Sequence, residues 1–293
     1  MERIVGIAEV RSFVRAEKAA GKTVAFVPTM GALHEGHGSC VAVAKSLADA
    51  VIVSIFVNPT QFGPAEDLSK YPRPLSKDLA LCSDWGVGAV FVPEAKEMYP
   101  AEQDVWVEAE RLSKPLCGRA RIGHFRGVAT VVLKLLNIVQ PDAAVFGQKD
   151  AQQAVVIRAM AEQLDVPVRI VLSPTVREPD GLAMSSRNAY LTAEERARAP
   201  WIHRALLLGR ELAARGERGA ARVAAEMRRE MEAHGIGEIE YIEIVGARDL
   251  SGLRRMEGRV LVAVAARVGK TRLIDNLVLE IKPDGAVEDA MLF

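Results

Sequence analysis

The sequence predicts an α/β chain built on a parallel sheet, followed by a smaller α+β region. Three observations carry that expectation. Short, continuous runs of β-branched and apolar residues alternate with helical patterns through the first half of the 293 residues, as in strands buried on both faces. The turn-rich stretch Arg177–Gly181 (REPDG) then breaks the alternation, a composition change that marks a domain boundary. Beyond it helices come first and strands follow, an order that segregates the two. The expected division is residues 1–175 and 176–293.

The elements follow in order. Thr23–Thr29 (TVAFVPT) reads as a buried strand, and Gly36–Ala48 as a helix. Ala50–Val57 is a second strand, running into the loop Asn58–Gly63. Lys77–Trp85 is helical and Ala89–Pro93 extended. A long apolar-periodic helix is expected over Gly127–Val139, ending before Pro141. Ala143–Gly147 is a strand, Gln152–Leu164 a helix and Val168–Pro174 a strand. In the second half, helices are expected at Ala193–Arg215 and Gly219–Ala233, then strands at Ile239–Val245, Val260–Ala266 and Thr271–Leu279.

Composition narrows the function classes. Lys and Arg number 38 and Asp and Glu 38, so the formal net charge is zero. A nucleic-acid binder working by bulk attraction would carry a basic surplus. Apolar residues at 49% and charged residues at 26% are those of a globular protein. No apolar run reaches the roughly 20 residues of a membrane span. The start, Met1–Gly6, has no secretory apolar region, so a cytoplasmic location is expected. Cys40, Cys82 and Cys117 are widely spaced and odd in number, which suggests buried free thiols rather than a disulfide framework or zinc site.

In open parallel sheets ligands sit outside the carboxyl ends of the strands. The densest cluster there is Pro28–His37 (PTMGALHEGH). Glycines let backbone N–H groups approach an anion, a helix N-terminus adds its positive dipole end, and His34 and His37 add donors. The stretch imitates a Walker loop but lacks its Lys and Ser/Thr, and imitates a zincin motif one residue short. Two histidines three apart would hold a metal only with a third ligand, which the sequence does not identify. An exposed turn is the bland alternative.

Strand Ala143–Gly147 runs into Gln148, Lys149 and Asp150, then Gln152 and Gln153. A lysine at a strand end can pair with phosphate, although Asp150 as an ordinary helix N-cap with Lys149 in water reads nearly as well. Met184–Asn188 (MSSRN) offers two hydroxyls and a guanidinium, Asn58–Phe62 (NPTQF) two carboxamides. Gly269-Lys270-Thr271 resembles a P-loop tail, but Val264 stands where its first glycine belongs. Arginines from Arg215 to Arg229 alternate with Glu and Ala as on a solvated helix face.

Together these clusters resemble the pantothenate synthetase (pantoate–β-alanine ligase) family. The likeness rests on PTMGALHEGH, FVNPTQFG at Phe56–Gly63, DLSKYPR at Asp67–Arg73 and GHFRGVATVVLKLLNIVQPD at Gly123–Asp142. FGQKD at Phe146–Asp150, MSSRNAYL at Met184–Leu191 and TRLIDN at Thr271–Asn276 complete it. The His-x-Gly-His and Ser-Ser-Arg pair is also similar to signatures of the wider adenylyl-transferring superfamily. The resemblance implies a Rossmann-like ATP- and pantoate-binding domain with a smaller C-terminal lid, Mg²⁺ dependence and a homodimer. It implies activation of pantoate by ATP to a pantoyl adenylate, from which β-alanine displaces AMP.

By the same resemblance, Met30, Gly31, Ala32, Leu33, His34, Glu35, Gly36 and His37 would lie along ATP, with His37 as proton donor. Gly147, Gln148, Lys149, Asp150, Val176, Met184, Ser185, Ser186 and Arg187 would complete the nucleotide site. Gln61 and Gln153 would hold pantoate, Gln61 also serving β-alanine. His34, His37, Lys149 and Arg187 would supply charge and donors where two anions must meet. Mg²⁺ would ride on the phosphates, with Asp150 as its side-chain ligand. Ala151, Gly38 and Cys40 depart from the family pattern, which bears on pocket shape rather than reaction type. A plain nucleotidyltransferase and a non-catalytic nucleotide-binding protein are the competing readings. The joint presence of His34, His37, Lys149, Ser185, Ser186 and Arg187 favours an enzyme.

Overall fold

The computed structural model describes residues 1–64, 66 and 68–293. Contacts divide the chain into two compact units: Met1–Lys114, Gly118–Gly147 and Val156–Ser173 form the first, and Pro115–Cys117, Gln148–Val155 and Pro174–Phe293 the second. The short segments Pro115–Cys117 and Gln148–Val155, which a single cut after residue 175 gives to the first domain, thus group with the second unit.

The first unit is a six-stranded parallel sheet in the order β1-β4-β3-β2-β5-β6. Its strands are β1 (Glu2–Ile4), β2 (Val24–Thr29), β3 (Ala50–Ile55), β4 (Ala89–Phe91), β5 (Ala143–Gly147) and β6 (Arg169–Ser173). The connecting helices are α1 (Ile7–Ala19), α2 (Glu35–Leu47), α3 (Leu75–Asp84), α4 (Ala95–Met98), α5 (Cys117–Ala120), α6 (His124–Val139) and α7 (Ala151–Gln163). Alternate residues of a strand face opposite ways. Ala25 and Val27 of β2 and Val51 and Val53 of β3 pack with Cys40, Val41 and Ala44 of α2 and Cys82 of α3. Phe26 and Ile52, equally buried, face the other side, so helices must cover both faces of the sheet. β1 and α1 were not expected from the sequence: β1 is three residues long, with two of them charged and exposed.

β2 lies between β3 and β5, so the strand order reverses beside it. The segment leaving the carboxyl end of β2 therefore stands at the topological switch point, where α/β sheets bind ligands.

The second unit holds an antiparallel sheet in the order β10-β9-β8-β7. It is made of β7 (Glu238–Gly246), β8 (Gly258–Val268), β9 (Thr271–Ile281) and β10 (Val287–Asp289), preceded by α8 (Ala193–Arg198), α9 (Trp201–Ala214) and α10 (Ala220–Ala233). Ile202 and Leu206 of α9 and Val223, Met227 and Met231 of α10 form one core with Val260, Val262 and Val264 of β8 and Leu273 and Leu279 of β9. The single helix expected over Ala193–Arg215 is two helices. Pro200, which lacks an N–H and disfavours a helical residue before it, is the N-cap of α9. All three cysteines are buried thiols. No helix among the described residues is long and apolar enough to cross a membrane.

Candidate active site

The segment after β2 is fixed by the hydrogen bonds of its own backbone. Gly31 and Ala32 both adopt left-handed backbone, with φ of 78° and 51°, a conformation that is unfavourable for alanine. Asp78 of α3, a carboxylate only 1% exposed, offsets that cost by accepting the Ala32 and Leu33 amides at 2.9 and 2.8 Å. Its charge and the surrounding burial push the Cys82 thiol up to about 12, burial being the larger cause. Thr29 Oγ1 accepts the Gly31 amide at 3.1 Å and donates to Ser54 O.

His34 is the N-cap of α2, with its Nδ1 accepting the Gly36 amide at 3.1 Å. His37, in the first turn, accepts the His34 amide on Nδ1 at 3.3 Å. An imidazole nitrogen that accepts carries no proton, so each neutral ring bears its hydrogen on Nε2. The rings stand 4.2 Å apart between centroids. Two oriented N–H donors thus meet at the positive end of a helix, an arrangement suited to a developing phosphate charge. A Cβ on Gly36 would lie 2.8 Å from the His34 ring, so glycine makes room for the imidazole cap. The space beside Gly38 is taken by the Trp85 indole, 3.0 Å from where a Cβ would stand. That accounts for a small residue there.

Gln61 is buried at the end of a 3-10 turn, Pro59–Gln61, after β3. Its Oε1 accepts from Asn58 Nδ2 at 3.1 Å and its Nε2 meets Met30 Sδ at 2.9 Å. The turn is gripped by α6. Asn58 Nδ2 donates to Gly127 O at 3.2 Å, and a Cβ on Gly127 would sit 2.4 Å from Thr60 O. His124 Nδ1 bonds Gln61 O at 2.9 Å and its Nε2 meets Arg121 Nη1 at 2.9 Å. Because a guanidinium only donates, Nε2 accepts and Nδ1 carries the proton toward Gln61 O. Arg121 is itself paired with Glu66 at 2.8 and 2.6 Å. Burial raises the Glu66 carboxyl, but the Arg121 hydrogen bonds and charge outweigh it and hold the group below its ordinary range.

In the second unit, Gln148–Asp150 form a 3-10 turn leading into α7. Asp150 is exposed and Lys149 half-buried. Gln148 Oε1 accepts the Leu292 amide at 3.1 Å. The adjacent glutamines of α7 have different fates. Gln152 is buried and spans Cys117 N and Pro115 O at 3.0 and 2.7 Å, whereas the carboxamide of the half-buried Gln153 makes no such tether among the described residues. Val176 O accepts the Met184 amide at 3.0 Å. Ser185 caps the 3-10 turn Ser186–Tyr190 by accepting the Arg187 amide at 3.3 Å.

The expected residues therefore fall into two groups, Met30–His37, Gln61 and Gly147 in the first unit and Gln148–Asp150, Gln153, Val176 and Met184–Arg187 in the second. Asp67, the first residue of the DLSKYPR motif, lies outside the described residues. Sequence reasoning gave no role to Asp78, His124, Arg121 and Gly127, and read Asn58 only as one of the two carboxamides of its turn. An acidic residue within the apolar pattern of α3 and a glycine within that of α6 were the available signals.

A switch-point loop with paired histidines on a parallel sheet defines a Rossmann-like enzyme of the nucleotide-binding class. The model of the pantoate–β-alanine ligase family matches residues 2–278. Pantothenate synthetase of Moorella thermoacetica is 54% identical over 281 residues, 96% of this chain and 99% of its own. A Thermus thermophilus pantothenate synthetase structure superposes with a TM-score of 0.90 at 43% identity, covering 94% of this chain and 99% of the other. A Francisella tularensis pantoate–β-alanine ligase, solved with β,γ-ATP and β-alanine, gives 0.78 at 35% identity, with coverage of 94% and 97%. The chain belongs to the pantoate–β-alanine ligase family and is an acid–amino-acid ligase.

Proposed function

We propose that this enzyme joins pantoate to β-alanine in two steps at the expense of ATP. In the first, a pantoate carboxylate oxygen bonds to the α-phosphorus of ATP as the bond to pyrophosphate breaks. In the second, the amine of β-alanine attacks the acyl carbon, AMP leaves and the amine loses a proton. The observation that carries this reading is the His34–His37 pair at the start of α2, whose Nδ1 atoms each accept a backbone amide, so that each neutral ring carries its hydrogen on Nε2. Both reactants of the first step are anions, and donors fixed beforehand lower the cost of bringing them together.

In this reading Met30–His37, Gly147–Asp150, Val176 and Met184–Arg187 serve ATP, with His37 as the proton donor and Lys149 and Arg187 neutralising phosphate charge. Gln61 and Gln153 serve pantoate, and Gln61 also serves β-alanine. Gln61 comes to that role already oriented by Asn58 and Met30. A Mg²⁺ held by phosphate oxygens needs only one or two carboxylates from the protein, and the exposed Asp150 beside Lys149 suits that need. When bound, the ion would neutralise phosphate charge. The family resemblance alone suggests a cytoplasmic homodimer.

With ATP, Mg²⁺ and pantoate but no β-alanine, the enzyme is expected to exchange labelled pyrophosphate into ATP. Lys149→Met and Arg187→Gln are expected to lose this exchange. Exchange that strictly required β-alanine would overturn the two-step reading.

A further inference from the structure

The TRLIDN motif has so far no part in the chemistry, yet two of its residues hold both ATP segments of the second unit. Asp275 and Asn276 are consecutive in β9, so their side chains leave opposite faces of the sheet, and both are at least 95% buried. Asn276 Nδ2 donates to Gln148 O at 3.1 Å and to Lys149 O at 2.9 Å. Its two N–H groups thus clamp the consecutive carbonyls of the turn that presents Lys149. The Asp275 carboxylate receives Arg177 through Nη1 at 2.6 Å and Nη2 at 3.0 Å. Arg177 also donates to Gly181 O at 3.1 Å and pairs with Ala183 in an antiparallel bridge. It therefore fixes the hairpin that delivers Met184–Arg187.

Two features indicate that function, rather than packing, keeps these residues. No partner reaches the buried Asn276 Oδ1 among the described residues. An unpaired buried acceptor is costly, and an apolar residue in this interior strand would avoid that cost; only a carboxamide offers two donors to two carbonyls at this reach. The platform is also stiff. β9 is paired with β8 along its whole length, from Thr271↔Val268 to Ile281↔Gly258, and groups held by strands are placed more accurately than groups held by loops.

We propose that Asp275 and Asn276 are positioning residues for ATP, setting Lys149 and the Met184–Arg187 segment from one rigid strand. The inference rests on the assignment of those two segments to ATP made above.

The test measures binding of a non-hydrolysable ATP analogue and steady-state constants for Asp275→Asn and Asn276→Ala. The dissociation constant of the analogue and KM for ATP are expected to rise about tenfold, while KM for β-alanine stays within twofold of wild type. Asn276→Ala combined with Lys149→Met is expected to weaken binding less than the product of the two single effects, whereas Asn276→Ala combined with Gln61→Ala should multiply. A merely structural role would lower the active fraction and kcat, leave every KM unchanged and show no such coupling. Should Asn276→Ala not fold, Asn276→Ser, which retains one donor, is judged by the same criteria. Wild-type analogue binding by the Asp275 and Asn276 variants, with binding weakened by Lys149→Met and Arg187→Gln, would overturn the inference alone. Wild-type binding by the Lys149 and Arg187 variants as well would overturn the assignment beneath it.

Discussion

Met30–His37 in the first unit and Met184–Arg187 in the second are proposed to serve the same nucleotide, yet they are anchored in different ways. The first is held by backbone amides on a fully buried carboxylate, Asp78, and on the imidazoles of the segment itself. The second hangs from a hairpin secured by ion pairs. Arg177 meets Asp275 inside, and Arg196 meets Glu178 at 2.6 Å and Asp180 at 2.5 Å near the surface. Buried amide–carboxylate bonds are little screened by salt, whereas exposed ion pairs are screened and individually weak. The histidine segment and the buried Arg177–Asp275 anchor should therefore hold over a wide range of conditions, whereas the outer end of the hairpin, at Glu178 and Asp180, should respond to pH and ionic strength.

The largest effect belongs to the chemistry of the first segment. His37→Ala is expected to lower the rate of pyrophosphate exchange by ~10²–10³, the usual loss of one donor to a charged transition state. Its melting temperature should change little, because His37 is half-buried and lies in the first turn of α2 rather than in the core. A folded His37→Ala enzyme with wild-type exchange would remove this histidine from the reaction.

Next comes the anchor. Asp78→Ala strands two amides next to buried surface and is expected to destabilise the protein by about 3 kcal/mol, since hydrogen bonds to charged groups are worth about 1.5–3 kcal/mol each. Denaturant unfolding at low and high salt should give the same loss. A loss that vanished in 1 M salt would contradict the contrast drawn between the two segments.

The smallest effect is at the surface of the second segment. The Arg196 hydrogen bond, working against slight burial, holds the Asp180 carboxyl below its ordinary range. A lowered folded-state value stabilises above the unfolded value of about 4, and that stabilisation fades as pH falls through the folded value. Asp180 is more than a third exposed, so Arg196→Gln should cost only about 0.5 kcal/mol at pH 7 after allowance for screening. The gap between variant and wild type should close in acid, as pH falls through the lowered folded-state value, and also in high salt. An undiminished gap at acidic pH would show that Arg196 acts by packing.

Much of the site was legible before folding was considered. Glycines and histidines at fixed spacing after a β-branched run specify a strand, a loop and a helix start, because glycine frees the backbone there and polar caps begin helices. Gln152 and Gln153 show where legibility ended. They are identical and adjacent, but successive helix positions differ by about 100°; one tethers Cys117 and Pro115 and the other does not. Asp78 likewise looks like any helix carboxylate until the left-handed turn at Gly31–Ala32 brings two amides to it.

The sequence by itself determined the succession of strands and helices, the break in composition near Arg177 and the segments that carry the chemistry. All of these follow from local preferences and periodicity within a dozen residues. Tertiary structure alone decided the strand order that makes β2 the switch point, the seating of Gly127 against Thr60 and the grip of Asp275 and Asn276 on segments about 100 to 130 residues away in the chain. A side chain's partner over such separations is set by which surfaces must be buried together, and that is a property of the whole packed chain.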